Sequence, residues 1–133
     1  MSQANAQDLP LGQMDRPEME RSRSGVLSYL LKLKRCLDAK HQDLALALTH
    51  RFCQATLDYV SSGQYYLLSE FRPEPHQLVT LDRITRQILK FEALYAGSTQ
   101  LDLEACKAHL EELALAIEVR FEIEDEIVTQ NHH

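Results

Sequence analysis

Apolar residues recur at three- and four-residue intervals along most of this chain, and no segment alternates apolar with polar. From about Ser24 to Lys40, the residues Val26, Leu27, Leu30, Leu33 (with Leu31 beside it) and Leu37 make one stripe, while Lys32, Lys34 and Arg35 face water. A second segment, about Asp43 to Ser62, is apolar over most of its circumference. Leu44, Leu48, Phe52, Ala55 and Tyr59 cover one flank, and Leu46, Cys53, Leu57 and Val60 the other. Only a narrow polar line remains: Asp43, His50, Gln54, Asp58 and Ser61. Such a helix is expected at the centre of a bundle, with neighbours on two sides.

Gly63 is predicted to end or bend that helix, and a short helix from Gln64 to Phe71 follows, closed by Pro73 and Pro75. Thr80 is the expected cap of a third long helix reaching about Ala96, with Leu81, Ile84, Ile88, Phe91 and Tyr95 inside and Gly97 at its end. The last helix opens near Asp102 and runs to about Thr129, its inner line being Leu103, Cys106, Leu110, Leu113, Ile117, Phe121 and Val128. Short connections make sequential helices antiparallel. The expected fold is therefore all-α: an up-down antiparallel bundle of about four long helices plus one short one. Residues 1–20 are polar, carry Pro10 and Pro17 and show no period, so they read as a disordered tail. Residues 21–130 form the single domain.

Composition agrees with this picture and narrows the function. A chain of 133 residues with 44% apolar content supplies one core, and four Gly with four Pro suit long helices. No apolar run nears the ~18 residues of a membrane span. The stretch Met1–Gln13 has neither a basic residue nor an apolar core, so a cytoplasmic address is expected. A net charge of −6 argues against direct nucleic-acid binding. From Leu101 onward nine acids stand against Lys107 and Arg120, and an acidic half of this kind favours basic partners.

Catalytic and metal chemistry find no foothold. A di-metal bundle needs inward Glu residues and Glu-x-x-His pairs. Here His109 follows Glu104 at the wrong helical offset, and Glu111, Glu112 and Glu118 fall on the outer side. His41, His50 and His76 lie in separate segments, and His132 and His133 close the chain. Neither a phosphate loop nor a nucleophile elbow occurs. Cys36, Cys53 and Cys106 form no CxxC pair and read as free thiols. The expectation is a binding surface with no cofactor and no catalytic residue. Tyr59, Tyr65, Tyr66 and Phe71 cluster near Gly63; Tyr59 suits the core, and at least one of Tyr65 and Tyr66 must face outward.

Two stretches carry a family resemblance. Phe52-Cys-Gln-Ala-Thr-Leu-Asp-Tyr-Val-Ser-Ser-Gly63, continuing through Gln64-Tyr65, is similar to the signature of the Rsd/AlgQ family of bacterial anti-sigma regulators. Ile117-Glu-Val-Arg-Phe-Glu-Ile-Glu-Asp125 resembles a second element of that family near its C-terminus. The similarity covers roughly residues 44–128. Family members carry a Trp in the first helix and a longer segment before the second; this chain has no Trp. The resemblance implies a bundle that binds the C-terminal, promoter-recognising domain of the primary sigma factor of RNA polymerase and sequesters it. It also implies secondary partners among phosphocarrier and alarmone-signalling proteins. The alternative is a bundle adaptor that regulates such a signalling protein without binding sigma. Gln54, Asp58, Ser61 and Tyr65, at i, i+4, i+7 and i+11 within the first matched stretch, are the expected partner-binding residues.

Overall fold

The structure is a computed structural model that describes residues 15–130. Residues 1–14 of the tail expected over residues 1–20, and His132 and His133, lie outside the described residues. Within them the chain forms four helices and no strand: α1 (Arg16–Asp38), α2 (Gln42–Glu70), α3 (Pro75–Tyr95) and α4 (Leu103–Gln130). None is long and apolar enough to cross a membrane.

Three boundaries differ from the pattern-based expectation, each for a local reason. The first helix starts at Arg16, well ahead of Ser24, so residues 16–20 are helix and not tail. Asp15 caps it, its Oδ1 accepting from the Glu18 N–H at 2.9 Å, and Pro17 sits in the first turn where its missing N–H costs nothing. Met19, fully buried, then anchors that turn to the core.

Gly63 does not end α2, which runs on to Glu70, and no separate short helix follows. The buried Tyr66 and Leu67 hold the last turns in place. Their burial outweighs the ~1 kcal/mol that glycine costs inside a helix. The helix stops at Phe71, whose backbone is extended ahead of Pro73.

The third helix opens at Pro75, not at Thr80, whose hydroxyl instead bonds back to the His76 carbonyl at 3.1 Å within the helix. The boundary is set by Gln77, which accepts from the Glu74 N–H at 2.8 Å. Gln77 is also buried, and its amide donates to Glu126 and Gln130, both at 2.7 Å, fixing the start of α3 against the end of α4.

Cross-helix partners give the directions. Arg23 meets Glu124 while Asp38 meets Lys107, so α1 and α4 run oppositely. Gln42 brackets the Leu101 backbone at 3.0 and 2.8 Å while Tyr59 reaches Glu124, so α2 and α4 run the same way. This is an up-down bundle in which α2 touches all three other helices. The α1–α2 turn is tight. Lys40 takes the left-handed conformation (φ 57°), and the His41 N–H bonds to the Cys36 carbonyl at 3.0 Å. Edge-to-face rings, Phe52 on Phe91 and Tyr59 on Phe121, fill the centre. Cys53 and Cys106 are buried free thiols, and Cys36 is partly buried.

Candidate protein-binding site

A polar network lies inside the bundle. Arg120 and Glu124, one helical turn apart on α4, are both fully buried, and the Arg120 Nε donates to Glu124 Oε2 at 2.8 Å. From α1, Arg23 donates to Glu124 Oε1 at 2.9 Å and to Asp125 at 2.9 Å, with its guanidinium 4.9 Å over the Phe121 ring. From α2, the Tyr59 hydroxyl donates to the same Glu124 oxygen. The remaining Arg120 nitrogens donate to Gln64 Oε1 on α2 and Thr85 Oγ1 on α3, each at 3.2 Å. All four helices therefore meet at one carboxylate–guanidinium pair. Among the described residues no buried side-chain polar atom lacks a partner, so the network meets the condition under which a buried charge is tolerated.

The electrostatics follow from this arrangement. Burial works to lower the Arg23 pKa, but the charges of Glu124 and Asp125 win and hold it above its ordinary value. Burial first, and then the Glu124 carboxylate, push the Tyr59 hydroxyl up, so it stays a proton donor.

Periodicity did not reveal this network, because a core stripe was assumed to be apolar. The signal was present nevertheless. Leu113, Ile117, Arg120, Glu124 and Ile127 fall at i, i+4, i+7, i+11 and i+14, placing two opposite charges on the buried line of α4. The acidic half shrinks accordingly. Glu124 is internal and Asp125 is bound to Arg23, leaving Glu104, Glu111, Glu112, Glu118, Glu122 and Glu126 as the exposed acids of α4.

Above the network lies the expected binding line. Gln54, Asp58, Ser61 and Tyr65 are all exposed on α2, and the Gln54 amide donates to Asp58 at 3.0 Å. Two depressions flank the line. Gln54 and Asp58 border a shallow one of about 300 Å³ with Tyr29 of α1. Ser61 and Tyr65 border a groove of about 600 Å³ between α2 and α3, together with Leu68, Asp82 and Thr85. Gln64 also lines that groove, so two of its lining residues, Gln64 and Thr85, are the two that Arg120 holds from below. The expected residues thus share one face but split between two depressions. Tyr65 is outward at 48% exposed and Tyr66 is buried, and Tyr59 belongs to the core.

The described residues contain no cluster of three or more His, Cys, Asp or Glu able to hold a metal. Two histidines have structural partners: His50 bonds the Ser98 carbonyl at 3.0 Å, and His109 Nδ1 pairs with the Tyr95 hydroxyl. Compared with protein families, curated proteins and solved structures, the chain finds no match.

Proposed function

We propose that this chain is an anti-sigma-type regulator that binds the C-terminal, promoter-recognising domain of a primary sigma factor and sequesters it. The observation that carries the reading is that both stretches resembling the Rsd/AlgQ family meet in space. Tyr59, Gly63 and Gln64 come from the first, and Arg120, Phe121, Glu124 and Asp125 from the second. Together they build the support beneath the exposed Gln54–Asp58–Ser61–Tyr65 line.

The physical case is one of complementarity. A sigma domain that reads promoter DNA is a basic helix-turn-helix module. Asp58 offers it a carboxylate and Tyr65 an aromatic ring, side chains suited to a charged contact and an apolar anchor. A helix braced by a satisfied internal network presents them with little rearrangement, and pre-organisation reduces the entropic cost of association. A sigma domain so covered has its DNA-reading surface occluded, and housekeeping promoters lose occupancy.

The test is a calorimetric titration of the full chain with the sigma C-terminal domain. A one-to-one complex is expected, weakening as salt screens the charges. No heat at roughly tens of micromolar would transfer the reading to an adaptor that regulates a signalling enzyme or phosphocarrier protein.

A further inference from the structure

Beyond their buried stripes, α3 and α4 each carry a second periodic stripe on the outside of the bundle. On α3 it is Arg83, Gln87, Lys90 and Leu94, at i, i+4, i+7 and i+11. On α4 it is Glu112, Leu115, Val119 and Glu122, at i, i+3, i+7 and i+10. All of these residues are exposed, Leu94 at 49%, Leu115 at 66% and Val119 at 40%. The spacing that normally buries one side of a helix thus recurs on a side that none of the described residues covers.

The two stripes belong to one face. Lys90, Leu94 and Glu112 border the same shallow depression of about 130 Å³ between the helices. α1 and α3 do not touch, so this face lies across the bundle from the α1–α2 side. Its charges are segregated by helix, with Arg83 and Lys90 on α3 and Glu112 and Glu122 on α4. None of these four forms an ion pair among the described residues. The neighbouring charges are already engaged or turned aside. Arg86 is held by Asp82 at 3.0 Å, and Glu126 accepts from Gln77 at 2.7 Å. Glu111 and Glu118 fall on the line of Lys107, which meets Asp38 of α1.

We infer that this face pairs with the same face of a second copy of the chain. The arrangement is a two-fold axis running along the helices, between α3 and α4. Rotation about it lays α3 of one copy over α4 of the other, antiparallel, and keeps each residue at its own height along the bundle. The heights are fixed by bonds between α3 and α4: Gln77 meets Glu126 and Gln130, Thr85 meets Arg120, and Tyr95 meets His109. Arg83 is therefore level with Glu122, and Lys90 is level with Leu115, one turn from Glu112. In the pair, Arg83 meets Glu122 of the other copy and Lys90 meets its Glu112. Leu94 packs near Leu115 of the other copy, and every contact is made twice.

The face selects this occupant because it is its own complement. A partner bearing only acids or only bases would set like charge against one of the two helices. A second copy answers both signs at matching heights. Two helices about 30 Å long and about 8–10 Å apart offer about 600 Å² per copy, or about 1,200 Å² in the pair, the lower end of a specific interface. The inference does not rest on the sigma reading. The Gln54–Asp58–Ser61–Tyr65 line lies on α2 and stays open in the pair, so failure of either proposal leaves the other standing.

Sedimentation equilibrium of the full chain over roughly 10 to 500 micromolar tests the pairing, and a monomer–dimer equilibrium is expected. Arg83→Glu with Lys90→Glu, and separately Glu112→Lys with Glu122→Lys, are each expected to weaken it at least about tenfold, since like charges then face each other. An equimolar mixture of the two variants is expected to recover the dimer, because in a mixed pair every altered charge meets its opposite. All four positions are exposed, and circular dichroism checks that the fold is kept. Should either variant melt early, Leu115→Asn replaces the charge changes and is expected to weaken the dimer. A chain that stays monomeric over the whole range would overturn the proposal. So would a dimer that these variants leave unchanged, or a mixture as dissociated as either variant alone.

Discussion

Arg120 and Glu124 form an ion pair at 2.8 Å with neither side chain exposed to solvent, where side chains from all four helices meet. The pair joins two jobs. It closes the core without leaving an unsatisfied charge, and it holds Gln64 and Thr85 beneath the exposed face of α2. Removing Arg120 leaves Glu124 with Arg23 and Tyr59, whereas removing Glu124 leaves the buried Arg120 without a carboxylate, which is far more costly than never having buried the pair.

Glu124→Ala is therefore expected to destabilise the protein by about 3 kcal/mol or more, read from urea unfolding followed by circular dichroism. The Arg120→Ala, Glu124→Ala double variant is expected to lose clearly less than the sum of the two single losses, as residues in one network do not add. Additive losses would mean the pair is not coupled.

Gly63→Ala tests the unbroken α2. A Cβ at this position would lie 3.8 Å from Glu124 Oε2 and 3.9 Å from Tyr59 Cε1, ordinary contact distances, and the backbone is helical. Alanine's better helix propensity then gains about 0.5–1 kcal/mol, seen as a higher melting temperature. A hinge at Gly63 would give the opposite sign.

The thiols make a third prediction. Burial, with the Glu92 charge next, pushes Cys53 up to about 12, and burial also raises Cys106. Cys36 is only partly buried. A thiol reagent at mild alkaline pH is expected to label Cys36 first, and the other two only as the chain unfolds. In the unfolded chain the Cys53 thiol ionises near its ordinary value of 9.0, so the folded state holds its proton longer. Stability from this group is complete below pH 9.0 and is lost as pH rises from there toward about 12. Stability that increased over that range would contradict the burial of Cys53.

Asp58→Ala separates binding from folding. Asp58 is exposed and receives a hydrogen bond from Gln54 in its own helix, so its loss is expected to change stability by less than about 0.5 kcal/mol. Affinity for the sigma domain is expected to fall by about 2 kcal/mol, roughly thirtyfold. Glu111→Ala, exposed on α4 and outside both matched stretches, is expected to cost little. A stable Asp58→Ala protein that binds as tightly as the unaltered chain would remove this residue from the interface.

How much of this was legible in the chain depended on which physical rule governed each residue. The helical class, the central place of α2 and the outward turn of one of Tyr65 and Tyr66 followed from apolar spacing, because burial against neighbours obeys that spacing. The helix starts were missed where Pro17 and Pro75 were treated as breakers, although proline suits the first turn. Gly63 was misread because propensity is weak beside packing from Tyr66 and Leu67. The exposure of Gln54, Asp58, Ser61 and Tyr65 was readable from one helical line. Their division between two depressions was not, since it depends on how α1 and α3 lie alongside. The Arg23–Glu124–Arg120 network was hidden because its members come from both ends of the chain.

The central claim is that the exposed α2 line, braced by this network, is the surface that meets the sigma domain. Mapping backbone amide shifts of the labelled full chain on addition of the unlabelled sigma C-terminal domain tests it most directly. Saturable shifts concentrated at Gln54, Asp58, Ser61 and Tyr65, with the outer face of α4 around Glu111 and Leu115 unmoved, are the expected result. A complex whose shifts fall on that outer face of α4 and leave α2 silent would contradict the account.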